Sequence, residues 1–370
     1  MGLEIAICRE TRPHERRVAV VPQILPKLAK LGASVRLEQG SGLAASFPDE
    51  AYEGVALHDD ARATLDGAAI VLAVQPPSLE QIAAIRRGAI LACFVHPQKE
   101  PGLQEALSAR DITCFAMERV PRISRAQSLD ALSSQAALAG YYAPLLGAVS
   151  LPRILPMMTT AVGSLRPARV LVMGLGVAGL QALATARRLG AITEGYDVRP
   201  ETREQAMSLG AKFVDTGIDA RGEGGYARAL TDAEKIQVEQ VVSRHIAQAD
   251  MIITTASLPG RDAPKLISDA QLAGMKPGSV IVDLAAEGGG NCVGTVPGQT
   301  VQRHNATILA PLNVPSMLAQ HASELYAKNL LALLELFVRD GRIELDWEDE
   351  VIAKTALTRG AVGAPGLVSA

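Results

Sequence analysis

Residues 169–190 read RVLVMGLGVAGLQALATARRLG, and the fold is decided there. RVLVM is a short β-branched run of strand type, and VAGLQALATARRLG carries apolar residues at helical spacing. Between them stand Gly174, Gly176 and Gly179 in the order G-x-G-x-x-G. The chain has 33 glycines, so the spacing alone says little. Set between a strand and a helix, however, each glycine has a physical task. Gly174 permits the tight turn, Gly176 lets a pyrophosphate approach the backbone, and Gly179 lets helix and strand pack closely. The phosphates would meet the free N–H groups and positive end of a helix starting at Val177 and Ala178. The next strand, ITEGY, ends at Asp197, 18 residues past Gly179, where a carboxylate accepts hydrogen bonds from an adenosine ribose. Asp197, followed by Val198, would repel a 2′-phosphate and so favours NAD over NADP. Arg199 pulls the other way, since a guanidinium there can serve a phosphate.

Strand-type runs continue on both sides of this unit. Downstream lie AKFVD, DMIITTA, SVIVDLA and TILA; upstream lie EIAIC, ASVRLEQ, AAIVLAV, GAILACFV and ITCFAM, with the helical stretch PQILPKLAKLG closed by Gly32. Alternation of strand and helix predicts an α/β protein with two Rossmann-like, doubly wound parallel-sheet domains. The length of 370 residues suits two such domains. SMLAQHASELYAKNLLALLELFVRDG is a long helical pattern ending at Gly341 that could return to pack on the first domain, and the tail after Leu357 is assigned no structure. The polar, glycine-rich segment between Asp215 and Thr231 reads as a lid or a surface excursion.

Thirty-six basic against 39 acidic residues give a net charge of −3, too balanced to draw the chain onto phosphate backbones or anionic lipid, and 3% aromatics offer few stacking surfaces. A nucleic-acid partner is therefore not expected. Hydrophobic residues at 48% supply a full core for each domain. Cys8, Cys93, Cys114 and Cys292 lie far apart with no metal-ligand spacing, which fits reduced thiols in a cytoplasmic protein and predicts no metal site. The N-terminus lacks a signal-peptide pattern. The uncharged stretch from Ala131 to Pro152 has the length of a membrane span but contains Ser133, Ser134, Gln135 and Pro144; it is read as a buried helix, with no direct membrane insertion.

A family resemblance adds to this. PRISRAQSLDALSSQAALAGYYA, the glycine motif with DVRPETREQAMSLGAKF, GGYARAL, ITTASLPGRDAPKLI and VIVDLAAEGGGNC together resemble the NAD(H)-binding component, alpha subunit domain I, of proton-translocating NAD(P) transhydrogenase, over essentially the whole chain. The resemblance implies two domains separated by a cleft, residues 1–131 with 315–370 and residues 132–314, and a homodimer. It also implies two partners, a membrane-spanning proton-conducting subunit and an NADP(H)-binding component, so that the chain would be cytoplasmic and peripheral to the membrane. The cofactor would be NAD, with NADP on the partner. By the same resemblance Arg122, Gln127 and Asp130 form the loop that meets the second nucleotide. Asp130 and Ser133 would hold the nicotinamide carboxamide, Arg122 would lie near the nicotinamide and its pyrophosphate, and Gln127 would reach toward the NADP(H). Gly225 and Tyr226 would close over bound NAD(H), while Gln237 and Ser257 join the pocket. Taken without the family, Arg122 and Asp130 read as an interhelical or loop ion pair.

The nearest rival is an alanine dehydrogenase-like enzyme. R-V-A-x-x-P is present from Arg17 to Pro22, and His96 in FVHP falls where that family keeps an acid/base histidine. The substrate lysine is replaced by Gln75 in AVQPP, and the segment of the catalytic aspartate reads DLAAEGGGN with Glu287. His96 is therefore read as a strand-end histidine. A non-catalytic NAD-binding subunit is the other alternative, for which the glycines and Asp197 would serve equally well.

Overall fold

The computed structural model describes residues 2–218, 231–257 and 261–360. The chain forms two compact units: the chain up to Gln135 together with that from Pro315 onward, and Ala136–Val314. Each holds a seven-stranded, mostly parallel sheet with flanking helices.

In the first unit the strands lie in the order Ala356–Thr358, Thr113–Ala116, Ile90–Cys93, Ile70–Leu72, Leu3–Ile7, Ala33–Glu38, Ala56–His58. Side chains alternate across the pleat, so each strand feeds two cores. Ile5, Ile7, Ile70, Leu72 and Ile90 pack with Leu330, Leu334 and Phe337 of the helix Ala319–Phe337. Ala6, Val71, Leu91 and Cys93 pack on the opposite side with Ile82, Ile85 and Leu107. Burial on both faces explains why the strands read as unbroken apolar runs. Each fully buried aliphatic or aromatic side chain there contributes about 1.5–3 kcal/mol. The C-terminal segment returns through two glycines: the Gly341 N–H donates to Leu31 O (2.7 Å), and a Cβ on Gly32 would sit 2.4 Å from Gly341 N.

In the second unit the order is Lys212–Phe213, Ile192–Tyr196, Arg169–Met173, Met251–Thr254, Ser279–Asp283, Ala306–Leu309, Thr300–Arg303. The same alternation divides Val170, Val172, Val280 and Val282 from Leu171, Met173, Ile252 and Ile281. The order turns about the strand Arg169–Met173, and in such sheets ligands bind beyond the carboxyl ends of the strands at this switch point.

Three readings need correction. Each sheet has an antiparallel edge strand absent from the sequence reading: Ala356–Thr358 on Thr113–Ala116, and Thr300–Arg303 on Ala306–Leu309. The first extends past Leu357, and Gly360 N–H donates to Thr113 Oγ1 (3.0 Å), so the tail begins ordered; residues 361–370 lie outside the described residues. The uncharged stretch is a helix over Ala131–Ser150, but only part of it is buried, with Leu132, Tyr141 and Val149 exposed. Its small residues let neighbours approach closely: a Cβ on Gly147 would sit 2.6 Å from Met251 Sδ. Among the described residues no helix is long and apolar enough to cross a membrane.

Candidate functional site

At the carboxyl end of the strand Arg169–Met173 the chain turns at Gly174 and enters the helix Val177–Arg188. Gly174 has φ +94°, a conformation in which L side chains are strained, and a Cβ there would meet Thr255 Oγ1 at 2.7 Å. A Cβ on Gly179 would lie 1.8 Å from Gly174 O, so only glycine lets helix and strand meet here. Gly176 differs, because a Cβ there would have nothing within 4 Å. Packing does not require a glycine at this position, which is exposed; close approach of a ligand to bare backbone would be a use for one. The first helical bond is Leu180 N to Gly176 O (2.9 Å), which leaves the N–H groups of Val177 and Ala178 without intrahelical acceptors. The residues present fit a dinucleotide pyrophosphate.

Asp197 joins this turn directly. Its Oδ2 accepts from Leu175 N–H (2.7 Å), which locks the end of the strand Ile192–Tyr196 to the glycine loop. Arg199 folds back on it, with Nε to Oδ1 at 3.0 Å and Nη2 to Oδ2 at 2.9 Å. Burial pushes the Asp197 carboxyl up, but the Arg199 and Leu175 hydrogen bonds outweigh it and hold the group below the usual carboxylate range. Asp197 and Arg199, which the sequence sets in opposition, are thus an ion pair. Val198 beside them is half exposed.

Thr255, Asn291 and Gly140 brace the loop, and the sequence reading did not single them out. Thr255 Oγ1 donates to Gly174 O (2.8 Å). Asn291, fully buried, donates to Ala256 O and Pro264 O (2.8 Å each) and accepts from Ala256 N (3.0 Å). Its own N–H is held by Asp283, which also binds Thr254, Ala285, Cys292 and Thr295. A Cβ on Gly140 would lie 2.1 Å from Ala178 O, so the helix Ala131–Ser150 presses on the start of the nucleotide-loop helix. The only sequence signals were a glycine in an apolar helix and an Asn after three glycines. Ser257 follows this braced segment and is exposed. Gln237 is exposed on the helix Asp232–Gln248 and donates to Thr216 O (2.9 Å), fastening the turn after Asp215. Gly225 and Tyr226 lie outside the described residues.

The remaining expected residues belong to the first unit. Ser124–Leu129 is a 3-10 turn pinned by buried Ala126 and Leu129. Asp130 caps the following helix: Ser133 N–H donates to Oδ1 (2.9 Å) and Ser133 Oγ to Oδ2 (2.6 Å). The Arg122–Asp130 ion pair does not form. Arg122 and Gln127 are exposed, and among the described residues their side chains make no hydrogen bond. Arg125, between them, is spent on a two-pronged pair with Asp349 (2.7 Å each).

Of the residues at the rival reading's positions, Gln75 and Glu287 are held by hydrogen bonds within the chain, while the His96 ring only approaches Glu118. Gln75 Nε2 donates to Glu15 Oε2 (2.9 Å), Glu287 Oε1 accepts from Asn313 N (2.7 Å), and His96 sits at φ +47° with Nδ1 4.0 Å from Glu118. Arg17 is buried and bound to Glu15 by Nε (2.8 Å) and Nη2 (2.6 Å), and to Gln135 by Nη1 (2.8 Å). Among the described residues no cluster of metal-ligating side chains occurs.

Known proteins share the sequence and fold of this chain. The N-terminal domain model of the alanine dehydrogenase/PNT family matches residues 6–139 and the C-terminal domain model residues 143–363. A Rhodospirillum rubrum protein named as one piece of NAD(P) transhydrogenase subunit alpha is 45% identical over 99% of both chains. The crystal structure of transhydrogenase from Sinorhizobium meliloti superposes with a TM-score of 0.88 at 43% identity, covering 98% of this chain and 100% of that one. Alanine dehydrogenase of Bacillus subtilis is 29% identical over 84% of this chain and 79% of its own. The chain therefore belongs to the alanine dehydrogenase/PNT family and, within it, to the NAD(P) transhydrogenase alpha subunits.

Proposed function

We propose that this subunit binds NAD(H) at the Gly174–Gly179 turn and presents it to NADP(H) held by a partner component, a hydride passing directly between the two nicotinamides. The nicotinamides supply the hydride chemistry; the chain's residues bind, orient and exclude water. Transfer from ring to ring releases no hydroxyl or amine proton and needs no general base. It needs the rings held within about 3–3.5 Å in the right orientation. The observation that carries the reading is the loop Arg122–Asp130, whose backbone is fixed while Arg122 and Gln127 stay exposed and unbonded. Side chains left free on a rigid loop suit a partner that arrives from outside. Arg122, Gln127, Asp130 and Ser133 would then meet the nicotinamides. Gly174, Gly176, Val177, Ala178 and Gly179 would hold the pyrophosphate, and Asp197 with Val198 and Arg199 the adenosine ribose. Gln237 and Ser257 would contribute to the pocket wall. The Asp197 carboxylate, kept ionised, supports NAD over NADP here.

The relatives' subunit names support an assembly. In it, hydride transfer would be coupled to proton movement through a membrane-spanning subunit, with this chain peripheral on the cytoplasmic side. The homodimer has its own support. Met157, Met158, Val162 and Leu165, in and beside the short hairpin Met158–Thr160 and Gly163–Leu165, are 44–98% exposed, an apolar patch of the kind that subunit contacts cover.

Mixing the protein with a purified NADP(H)-binding component tests the proposal. Alone, it should bind NADH and catalyse nothing; with the partner and NADP, NADPH should form. Reduction of NAD by alanine without a partner would indicate the alanine dehydrogenase-like reading. Tight NADH binding with no transfer would leave a non-catalytic NAD-binding subunit.

A further inference from the structure

The free side chains of the Arg122–Asp130 loop raise the question of what holds the loop from beneath. Ala126 and Leu129 pin it by burial, and Arg125 ties its outer edge. On its inner side a continuous chain of hydrogen bonds begins at Ser128, next to Gln127. Asn329, nearly buried at 7% exposure on the helix Ala319–Phe337, donates from Nδ2 to Ser128 O (2.7 Å). Its Oδ1 accepts from Ser134 Oγ (2.8 Å). Ser134 Oγ in turn accepts from Gln135 Nε2 (3.2 Å), which also donates to Ala322 O (3.1 Å). Gln135 Oε1 takes Arg17 Nη1 (2.8 Å), and Glu15 neutralises Arg17.

Asn329 is used at both its ends here. Its amide donor is aimed at the loop backbone, and its carbonyl acceptor at the first turn of the helix capped by Asp130. Buried networks of this kind are rigid when every member is satisfied. Resting on the proposed role of this loop, we infer that Asn329 is a positioning residue for hydride transfer. Through the Ser128 carbonyl it fixes where Gln127 stands relative to Asp130 and Ser133. It touches neither nucleotide.

Asn329→Asp separates the two bonds. The introduced carboxylate still accepts from Ser134 but opposes the Ser128 carbonyl. The full-length protein is titrated with NADH by fluorescence, melted, and assayed with the NADP(H)-binding component at saturating nucleotide, beside Gln127→Asn. The expected result is NADH affinity within about twofold of the parent and transfer slowed about tenfold or more. The deficit should shrink as pH is lowered and the introduced carboxyl regains a proton to donate. A purely structural residue would lose melting temperature, NADH affinity and transfer in parallel at every pH, and that outcome overturns the inference. If Gln127→Asn slows transfer and Asn329→Asp does not, the positioning role alone falls. If neither slows it, the loop is not at the transfer site and this inference falls with that reading. Should Asn329→Asp fail to fold, Ser134→Ala removes the hydroxyl that orients the Asn329 amide, and the same split between affinity and transfer is expected at smaller size; no split overturns the role.

Discussion

The two regions assigned to nucleotide work are built in opposite ways. The turn Gly174–Asp197 is specified through backbone: two glycines, Gly174 and Gly179, that admit no Cβ, N–H groups left open at a helix start, and one carboxylate bonded to the turn it serves. The loop Arg122–Asp130 is specified from below, by Ala126, Leu129 and Asn329, while Arg122 and Gln127 remain unbonded. A site for a resident ligand can be carved into main chain. A surface for a visiting one needs a rigid base and side chains held in reserve.

The sharpest break of this contrast lies within the glycines. Gly179→Ala places a methyl group 1.8 Å from Gly174 O and should abolish NADH binding, by about 100-fold or more, with a lowered melting temperature. Gly176→Ala meets nothing within 4 Å, so it should melt like the parent yet bind NADH about tenfold more weakly. Fluorescence titration and calorimetry on the pair separate packing from ligand approach; equal behaviour of the two would undo the distinction. Next in size, Gln127→Asn should slow transfer about 100-fold with NADH affinity intact, because it alters geometry more than binding. Equal loss in both would move Gln127 into the resident site.

How much of each region was legible follows from the same contrast. Backbone specification writes itself into sequence, and Gly174, Gly176, Gly179 and Asp197 stand at their expected posts on strand, turn and helix. Support from below does not, since Asn329 lies some 200 residues from Ser128 in a helix that reads as plain amphipathic pattern. The edge strands were missed for the same reason. Ala356–Thr358 is three residues long and has meaning only once Cys114 is beside it. Arg199 shows a subtler limit: residue type alone could not tell a phosphate-seeking guanidinium from one already neutralised by Asp197.

Asp197→Asn exchanges one of two acceptor oxygens for an amide donor and removes the charge that pairs Arg199. NADH should weaken about tenfold while NADPH weakens less, since Arg199 is released, and binding titrations with both nucleotides check this. At the loop, the hydrogen bond from Arg125 holds the Asp349 carboxyl down at about 2 against the opposing pull of burial. A depressed folded pKa means stability present above the unfolded value near 3.8 and lost as pH falls through about 2. Asp349 also caps the helix Glu350–Thr355; Asp349→Asn keeps a capping side chain and loses a partly exposed ion pair, so its melting temperature should fall by only about 1–3 °C at pH 7, and the difference from the parent should vanish as pH approaches 2.

The central claim is that the hydride moves straight from one bound ring to the other. With NADH carrying deuterium at both C4 positions, the protein, its NADP(H)-binding partner and NADP in ordinary water, mass spectrometry of the product decides the matter. Direct transfer predicts one deuterium in the NADPH formed; NADPH without label, the deuterium having passed to solvent, would contradict it.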